Sequence, residues 1–184
     1  MKLLLTKILF KLRLFLTDEY KRADVYTHYQ AVNFGKNVRI SGEPYFGSEP
    51  YLVTIGDDVT ITQGVTFHTH DGGVGVFRDK YPGMHIFKPI VVGNNVFIGS
   101  NTTILPGITI GNNVVIGASS VVTKNIPDNV VVAGIPARII RSMQEYEQRS
   151  LKEAVYITEN EPVARREKIQ EFIRLKNSAS RKAE

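Results

Sequence analysis

The sequence predicts an all-β fold, a parallel β-helix of hexapeptide repeats with α-helices at its N-terminal and C-terminal ends. Three observations support this prediction. Aliphatic residues recur every six positions between residues 90 and 127, small or Asn residues follow most of them, and the only long interruption of the pattern is a single segment, 69–89. The recurring aliphatic residues are Val92, Ile98, Ile104, Ile110, Ile116 and Val122.

Residues 1–33 are predicted to form an N-terminal amphipathic helix and a connector. On a helical wheel of residues 2–17, the large apolar side chains share one broad arc, and Lys or Arg side chains lie on both of its borders. Two interpretations remain open for this helix. It lies on a membrane surface with its basic stems beside the apolar face, or it covers the open end of the β-helix or packs in an oligomer.

The same residues argue against a signal peptide and a membrane span. Lys7, Lys11 and Arg13 interrupt the apolar run, no small-residue cleavage site follows it, and it is too short to cross a bilayer. We therefore expect a cytoplasmic protein. Peripheral contact with the inner face of the membrane through residues 2–17 is the open alternative.

The repeats predict a β-helix over residues 34–138. A period of six suits neither a lone helix nor a hairpin, but it suits a short parallel strand followed by a corner, stacked coil upon coil. The lead aliphatic residues then form an inward ladder, and Gly and Asn at the next positions allow the positive φ that corners require. An ordinary open sheet is the alternative. Because the pattern breaks over residues 69–89, we expect this segment to be a loop extruded from one corner.

Residues 139–184 are predicted to form C-terminal helices and a tail. Before them, residues 129–133 are expected to form a further strand and residues 133–136 a turn. Apolar residues then recur at roughly helical spacing from Ile139 to Val155, which predicts a helix of about four turns. Residues 160–162 predict the start of a second helix. We expect these helices to pack or to contact partners rather than to carry chemistry.

Composition restricts the possible functions. The chain has 184 residues, no Cys and a net charge of +5, so disulfides, thiolate metal sites and Cys nucleophiles are excluded. The basic surplus lies at the two ends of the chain, which gives weak support for contact with a membrane surface or with nucleotide phosphates. The sequence has no basic motif interleaved with aromatic residues, so we expect no nucleic-acid partner.

The sequence resembles the hexapeptide-repeat acyltransferases over residues 33–141. The motifs that carry the resemblance are T-H-D-G-G at 69–73, I-V-V-G-N-N-V-F-I-G-S at 90–100, I-L-P-G-I-T-I-G at 104–111, I-G-A-S-S-V-V-T-K-N-I-P at 116–127 and A-G-I-P-A-R at 133–138. They are most similar to the sugar O-acetyltransferase branch, which includes galactoside and maltose acetyltransferases and many capsule or lipopolysaccharide O-acetyltransferases.

This resemblance implies a left-handed β-helix, a homotrimer, and an active site in each cleft between two subunits. It also implies acetyl-CoA as co-substrate and a hydroxyl of a saccharide or polysaccharide precursor as acceptor. The family's coenzyme contacts are small residues along the pantetheine arm, two residues that follow it, and basic residues near the phosphates. Here these positions are Ser100 and Ala118, Thr123 and Lys124, and Arg138 and Arg141.

His70 is the candidate general base. It stands where the chain leaves the coil at the start of the loop, so that the scaffold holds one side of it and the other side is open to a cleft. An imidazole suits the removal of a proton from a hydroxyl near neutral pH. His68 is expected to face outward as a surface or interface residue, and His85 lies late in the loop.

Glu49 and Asp71 are the nearest acidic residues expected to face the cleft. Either side chain could orient the imidazole or bind the sugar, and a structural role at a corner is the alternative for both. Phe77, Arg78 and Tyr81 in the loop are further candidates for acceptor contacts.

Other functions remain open on the sequence. His68, His70 and His85 could bind zinc, as in β-helix enzymes that resemble gamma-class carbonic anhydrases. The wider His spacing and the Arg-x-Asp element of that family are absent, so we expect no metal site. A non-catalytic trimeric scaffold is another alternative, and an amine could replace the hydroxyl as acceptor.

Overall fold

The computed structural model of the chain describes residues 2–180 and the side chains of residues 4–178. Residue 1 and residues 181–184, the end of the expected tail, lie outside the described residues. The helices are α1 (Lys2–Leu16), α2 (Arg22–Gln30), α3 (Met143–Glu153) and α4 (Pro162–Ser180), with 3₁₀ helices at Pro50–Leu52 and Gly72–Phe77. The strands are β1 (Asn33–Phe34), β2 (Arg39–Ile40), β3 (Val53–Ile55), β4 (Thr60–Ile61), β5 (Thr66–Phe67), β6 (Ile90–Val92), β7 (Val96–Ile98), β8 (Thr103–Ile104), β9 (Thr109–Ile110), β10 (Val114–Ile116), β11 (Val121–Val122), β12 (Val130–Ala133) and β13 (Arg138–Ser142).

These strands form three sheets that the chain visits in turn. Parallel pairing gives the orders β1-β3-β6-β9, β2-β4-β7-β10-β12 and β5-β8-β11, and β13 joins the second sheet antiparallel to β12. Residues one coil apart pair in register, for example Val92 with Ile110 and Ile98 with Ile116. The three sheets are therefore the three faces of a parallel β-helix, as the repeat predicts.

The lead residues of the repeat fill the interior of the coils. The six from Val92 to Val122 are each at most 2% exposed, and the same holds for the earlier lead residues Ile40, Phe46, Ile55, Ile61 and Phe67. In each hexapeptide the residue two positions before the lead residue is buried as well, for example Val96 before Ile98 and Val114 before Ile116, because alternate residues of a strand point to the same side. The predicted inward ladder is confirmed.

Positive φ at the corners belongs to the fourth residue of the hexapeptide, which is Asn in some repeats and Gly in others, such as Gly64 and Gly107. Asn95 and Asn113 both have a φ of 54°, and Asn95 Nδ2 donates to Asn113 Oδ1 across coils at 2.9 Å. At Gly93, a Cβ would lie 2.7 Å from the carbonyl oxygen of Gly111 in the next coil. The Gly directly after a lead residue is required by the close approach of successive coils and not by positive φ. The expected conformational reason is therefore wrong for that Gly, but it holds for the Asn and Gly residues at the fourth position.

The connector before the repeats contains α2, which the sequence pattern did not resolve. Tyr26 on α2 is 2% exposed. Its ring centroid lies 5.0 Å from that of Phe46 in the first coil, which is the turn of the β-helix that contains β1 and β2. Just before α2, Glu19 accepts a hydrogen bond from Arg39 Nε at 2.7 Å, and this bond lowers the pKa of the Glu19 carboxyl. The Tyr26 contact packs α2 on the first coil, and the Glu19–Arg39 bond holds the segment before α2 against the same coil.

The residues after the last coil differ from the helix expected there. Ile139 and Ile140 lie on β13, which pairs with β12 after the chain reverses at residues 134–137. Two adjacent Ile residues fit a strand or a helix, and pairing with the edge of the second sheet favours the strand. The helix α3 begins only at Met143.

The second C-terminal helix begins as the sequence predicts. Pro162 is the first residue of α4, and the Glu161 carboxylate accepts hydrogen bonds from the backbone N–H groups of Val163 and Ala164. The chain divides into two compact units, one ending at Tyr146 and the other beginning at Glu147. Among residues 2–180, no helix is both long and apolar enough to cross a membrane.

Candidate active site

His70 lies at the base of the loop over residues 69–89, three residues after β5 ends. The two ends of this loop are joined to each other. His70 pairs with Phe87 in an antiparallel bridge, and the Lys88 N–H donates to the Thr69 carbonyl at 2.9 Å. This pairing fixes the His70 backbone, while the His70 side chain remains 39% exposed.

The imidazole of His70 is held by residues from the preceding coil. Its Nδ1 lies 3.2 Å from Glu49 Oε2 and 2.9 Å from Ser48 Oγ. The same carboxylate oxygen accepts hydrogen bonds from the Ser48 hydroxyl at 2.9 Å and the Thr69 hydroxyl at 2.8 Å. Since a carboxylate only accepts, Nδ1 carries the proton in this contact, and Nε2 is left as the acceptor nitrogen of the ring.

Hydrogen bonding keeps Glu49 ionised. Burial raises the pKa of the Glu49 carboxyl, but hydrogen bonds from Thr69, Ser48 and His70 outweigh it and leave the pKa below its ordinary value. A carboxylate beside Nδ1 fixes the orientation of the ring and stabilises the imidazolium that forms when Nε2 takes a proton. The pair therefore has the geometry of a positioned general base.

Two hollows open on either side of His70. The larger has a volume of about 480 Å³ and is lined by residues that include His68, Lys88, Leu105, Pro106 and Thr123. The smaller has a volume of about 190 Å³ and is lined by residues that include Ser48, Glu49, Arg78, His85 and Phe87. His70 and Asp71 border both. One imidazole can thus reach molecules bound in two separate spaces.

The expected coenzyme positions lie at the two ends of the strands of the third sheet. Ser100 and Ala118 precede β8 and β11, and the Ser119 N–H donates to the Ser100 carbonyl at 2.7 Å across the coils. Thr123 and Lys124 follow the C-terminal end of β11, and Thr123 lines the larger hollow near His70. Within one chain, Ser100 and Ala118 are not among the residues that line either hollow.

The two candidate phosphate contacts lie outside the third sheet. Arg138 and Arg141 are on β13, at the end of the second sheet, with Arg138 exposed and Arg141 half-buried. Lys124 is exposed at its corner. All three side chains are accessible to a ligand.

Asp71 has a structural contact in this site. Its Oδ1 accepts a hydrogen bond from the Gly73 N–H at 2.9 Å, at the start of the 3₁₀ helix of the loop. Arg78 and His85 line the smaller hollow, where the His85 ring stacks on Phe87. Tyr81, exposed in the loop, lies under the Lys80 ammonium. Phe77 is exposed as well.

The structure gives contacts to three residues for which the sequence indicated no separate role. Ser48 and Thr69 complete the contacts of Glu49, and Lys88 lines the larger hollow. Ser48 is next to Glu49, Thr69 is the first residue of the T-H-D-G-G motif and Lys88 lies near the end of the loop over residues 69–89, but only the fold shows their contacts. Within residues 2–180 no group of three or more His, Cys, Asp or Glu side chains is arranged to hold a metal ion.

The chain is similar to known transferases. Residues 89–124 match the family described as bacterial transferase hexapeptide (six repeats). Protein CapG of Staphylococcus aureus is 62% identical over 111 residues, which are 60% of this chain and 64% of CapG. A maltose O-acetyltransferase structure from Clostridium difficile 630 is 32% identical, with a TM-score of 0.55, over 74% of this chain and 83% of that chain. A galactoside acetyltransferase structure in complex with coenzyme A is 34% identical, with a TM-score of 0.55, over 76% of each chain.

The matches to curated relatives are partial in length. The matched regions span 58% to 64% of the first three relatives' own lengths. The solved structures share the hexapeptide-repeat architecture, so that the parallel β-helix described above is left-handed, as expected.

Proposed function

We infer the function from one premise: the chain belongs to the hexapeptide-repeat acyltransferases. We propose that it is an acetyl-CoA-dependent O-acetyltransferase, which transfers an acetyl group to a hydroxyl of a saccharide or polysaccharide precursor. The observation that carries the proposal is the His70–Glu49 pair, held at the base of the loop between two hollows. The coenzyme in the galactoside acetyltransferase structure supports acetyl-CoA as donor.

His70 is the general base of the proposed reaction. The acceptor hydroxyl gives its proton to Nε2 while its oxygen bonds to the thioester carbonyl carbon. The carbon–sulfur bond then breaks, and the proton on Nε2 passes to the departing thiolate. Glu49 holds Nδ1 throughout, so the imidazolium is stabilised between the two proton transfers.

The two hollows suggest a division between donor and acceptor. The larger one includes Thr123, which is among the expected coenzyme contacts, so we assign the thioester end of acetyl-CoA to it. The smaller one, beside Arg78 and His85, is then the acceptor side. In this assignment Asp71 lies between donor and acceptor, at the border of both hollows.

A homotrimer would bring the coenzyme residues together. Ser100 and Ala118 lie before the strands of the third sheet, and Thr123 lies after them. A single chain therefore does not surround a coenzyme with all three residues. In a closed threefold assembly, the corner of one subunit that carries Ser100 and Ala118 faces the corner of its neighbour that carries Thr123. We propose that each site is shared in this way, and that the trimer acts in the cytoplasm, where acetyl-CoA is available.

Release of thiol from acetyl-CoA tests the proposed activity. The purified protein is incubated with acetyl-CoA and a panel of sugars and amino sugars, and free thiol is measured with and without each acceptor. We expect acceptor-dependent release, and mass spectrometry of the product to place the acetyl group on oxygen. An N-acetyl product would support the amine alternative, loss of activity with a chelator would support the zinc alternative, and absence of coenzyme binding would support the scaffold.

A further inference from the structure

The helix α1 packs its apolar side chains on the rest of the protein through one narrow face. The Phe10 ring centroid lies 5.4 Å from that of Tyr26 and 5.5 Å from that of Tyr29, both on α2. Leu14, one turn further on, is 5% exposed. Because Tyr26 already packs on Phe46, α2 covers the first coil and α1 lies outside it. The apolar packing of α1 therefore uses its Phe10 and Leu14 side.

The broad apolar face of α1 takes no part in this packing. Ile8 and Leu12 lie two residues from Phe10, which places them about 200° from it around the helix. We call the seven large side chains on this side the outer face, and each is between 43% and 82% exposed: Leu4, Leu5, Ile8, Leu9, Leu12, Phe15 and Leu16. Single exposed apolar residues are common on protein surfaces, but a contiguous set of this size marks an interaction surface.

The charges of α1 show which kind of surface it fits. The helix contains Lys and Arg but no acidic residue. Lys7 and Lys11 lie along one border of the outer face and Arg13 along the other, all exposed. Lys11 is paired with Glu43, and the Arg13 guanidinium lies 5.8 Å from the Tyr29 ring centroid. Cations beside an apolar face match the phosphates above the acyl chains of an anionic bilayer.

A second copy of the chain fits the outer face less well. Pairing of two outer faces about a twofold axis would bring the like-charged borders of the two helices close together, with no acid on either helix to neutralise them. An anionic lipid surface covers the apolar side chains and neutralises the same cations at once.

We propose that α1 docks the protein on an anionic membrane surface. The helix lies in the plane of the interface, its outer face enters the boundary between headgroups and acyl chains, and the Phe10 side stays packed on α2. The docking is independent of acetyl transfer, since none of the residues involved lies in the candidate active site.

Flotation with vesicles tests this proposal on the full chain. Wild-type protein is mixed with vesicles of phosphatidylcholine that contain phosphatidylglycerol, or with pure phosphatidylcholine, in the absence of acetyl-CoA. We expect binding to the anionic vesicles that weakens as salt is added, because salt screens the basic borders. The Ile8→Ser/Leu12→Ser double variant should bind at least about tenfold more weakly, since two large apolar side chains no longer enter the bilayer.

A matched control removes two equally exposed apolar residues elsewhere. Leu151 on α3 and Val163 on α4 are 59% and 61% exposed, and Leu151→Ser/Val163→Ser should leave vesicle binding unchanged. The proposal is overturned if wild type does not bind, or if both double variants bind as wild type does or lose binding equally. It is also overturned if Ile8→Ser/Leu12→Ser changes the oligomeric state without vesicles, because the outer face then belongs to an interface between copies.

Discussion

At the scale of single residues, the proposed mechanism depends most on His70. A positioned base contributes about 10² to 10⁴-fold to turnover, so His70→Ala should lower kcat by about that factor. The residue stands at the base of the loop and not in the aliphatic ladder, so acetyl-CoA affinity and assembly should be nearly unchanged. Steady-state kinetics, with calorimetry for the coenzyme, provide the measurement.

Two other His residues serve as controls for this variant. His68 and His85 each line only one of the two hollows, and neither has a hydrogen bond to Glu49 like that of His70. His68→Ala and His85→Ala should cost far less turnover. Near-normal kcat in His70→Ala would show that the base assignment is wrong.

Glu49 is predicted to act through His70 as a positioning residue. Glu49→Gln keeps an oxygen that Ser48 and Thr69 can bind but removes the charge beside Nδ1. A charge-assisted hydrogen bond contributes about 1.5–3 kcal/mol, so kcat should fall by about 10- to 100-fold with the KM for acetyl-CoA unchanged. Glu43→Gln, the same change at an exposed carboxylate of the first coil, should leave both constants as they are. A rise in KM without loss of kcat would instead place Glu49 in substrate binding.

The lowered pKa of Glu49 also predicts a pH dependence of stability. The folded protein stabilises the ionised form of Glu49 relative to the protonated form. In the unfolded chain this carboxyl has the ordinary pKa of 4.5. The resulting stabilisation is therefore fully present above pH 4.5 and is lost as the pH falls through the lowered pKa. Denaturant unfolding should show wild type more stable than Glu49→Gln at neutral pH, with the difference shrinking in acid. A difference that grows in acid would contradict this sign.

At the scale of elements, the stacking of coils depends on repeat Gly residues. An added Cβ at Gly93 would lie 2.7 Å from a backbone oxygen of the next coil, and backbone in a packed ladder cannot move aside freely. Gly93→Ala should destabilise the protein by about 1–3 kcal/mol, as overpacking does. Gly75→Ala is the matched control, because the atoms nearest to its Cβ would be 3.7 Å away on the Arg78 side chain. Equal unfolding midpoints for the two variants would show that the coils can separate at no cost.

At the scale of the whole molecule, the proposed site requires an assembly. We expect sedimentation to give a trimer at micromolar concentration, and a monomer would exclude a shared site.

Mixed trimers test directly whether each site is shared between two subunits. His70→Ala and Ala118→Trp should each lose most of the activity, and co-refolding the two should restore part of it if His70 and Ala118 of one site come from different subunits. No recovery in mixed trimers would place both residues of a site on one chain.

The amino-acid sequence by itself determined the β-helix, because its evidence is local. Each hexapeptide carries its own inward residues, and the same period repeated from coil to coil leaves one way of burying the ladder from Val92 to Val122. The start of α4 at Pro162 was predictable for the same reason, since Pro and the preceding acid act within one turn. The position of His70 also followed from the repeat, as the residue at which the period stops.

Contacts between distant segments were decided only by the tertiary structure. Glu49 reaches His70 because coil stacking brings together residues that are 21 positions apart, and no periodicity indicates which acid will be the partner. Ile139 and Ile140 became strand because an unpaired sheet edge was available beside them. For α1, the wheel showed the apolar arc, but packing of Phe10 and Leu14 on α2 decided that this arc stays exposed. In each case the deciding free energy comes from a partner that lies elsewhere in the chain.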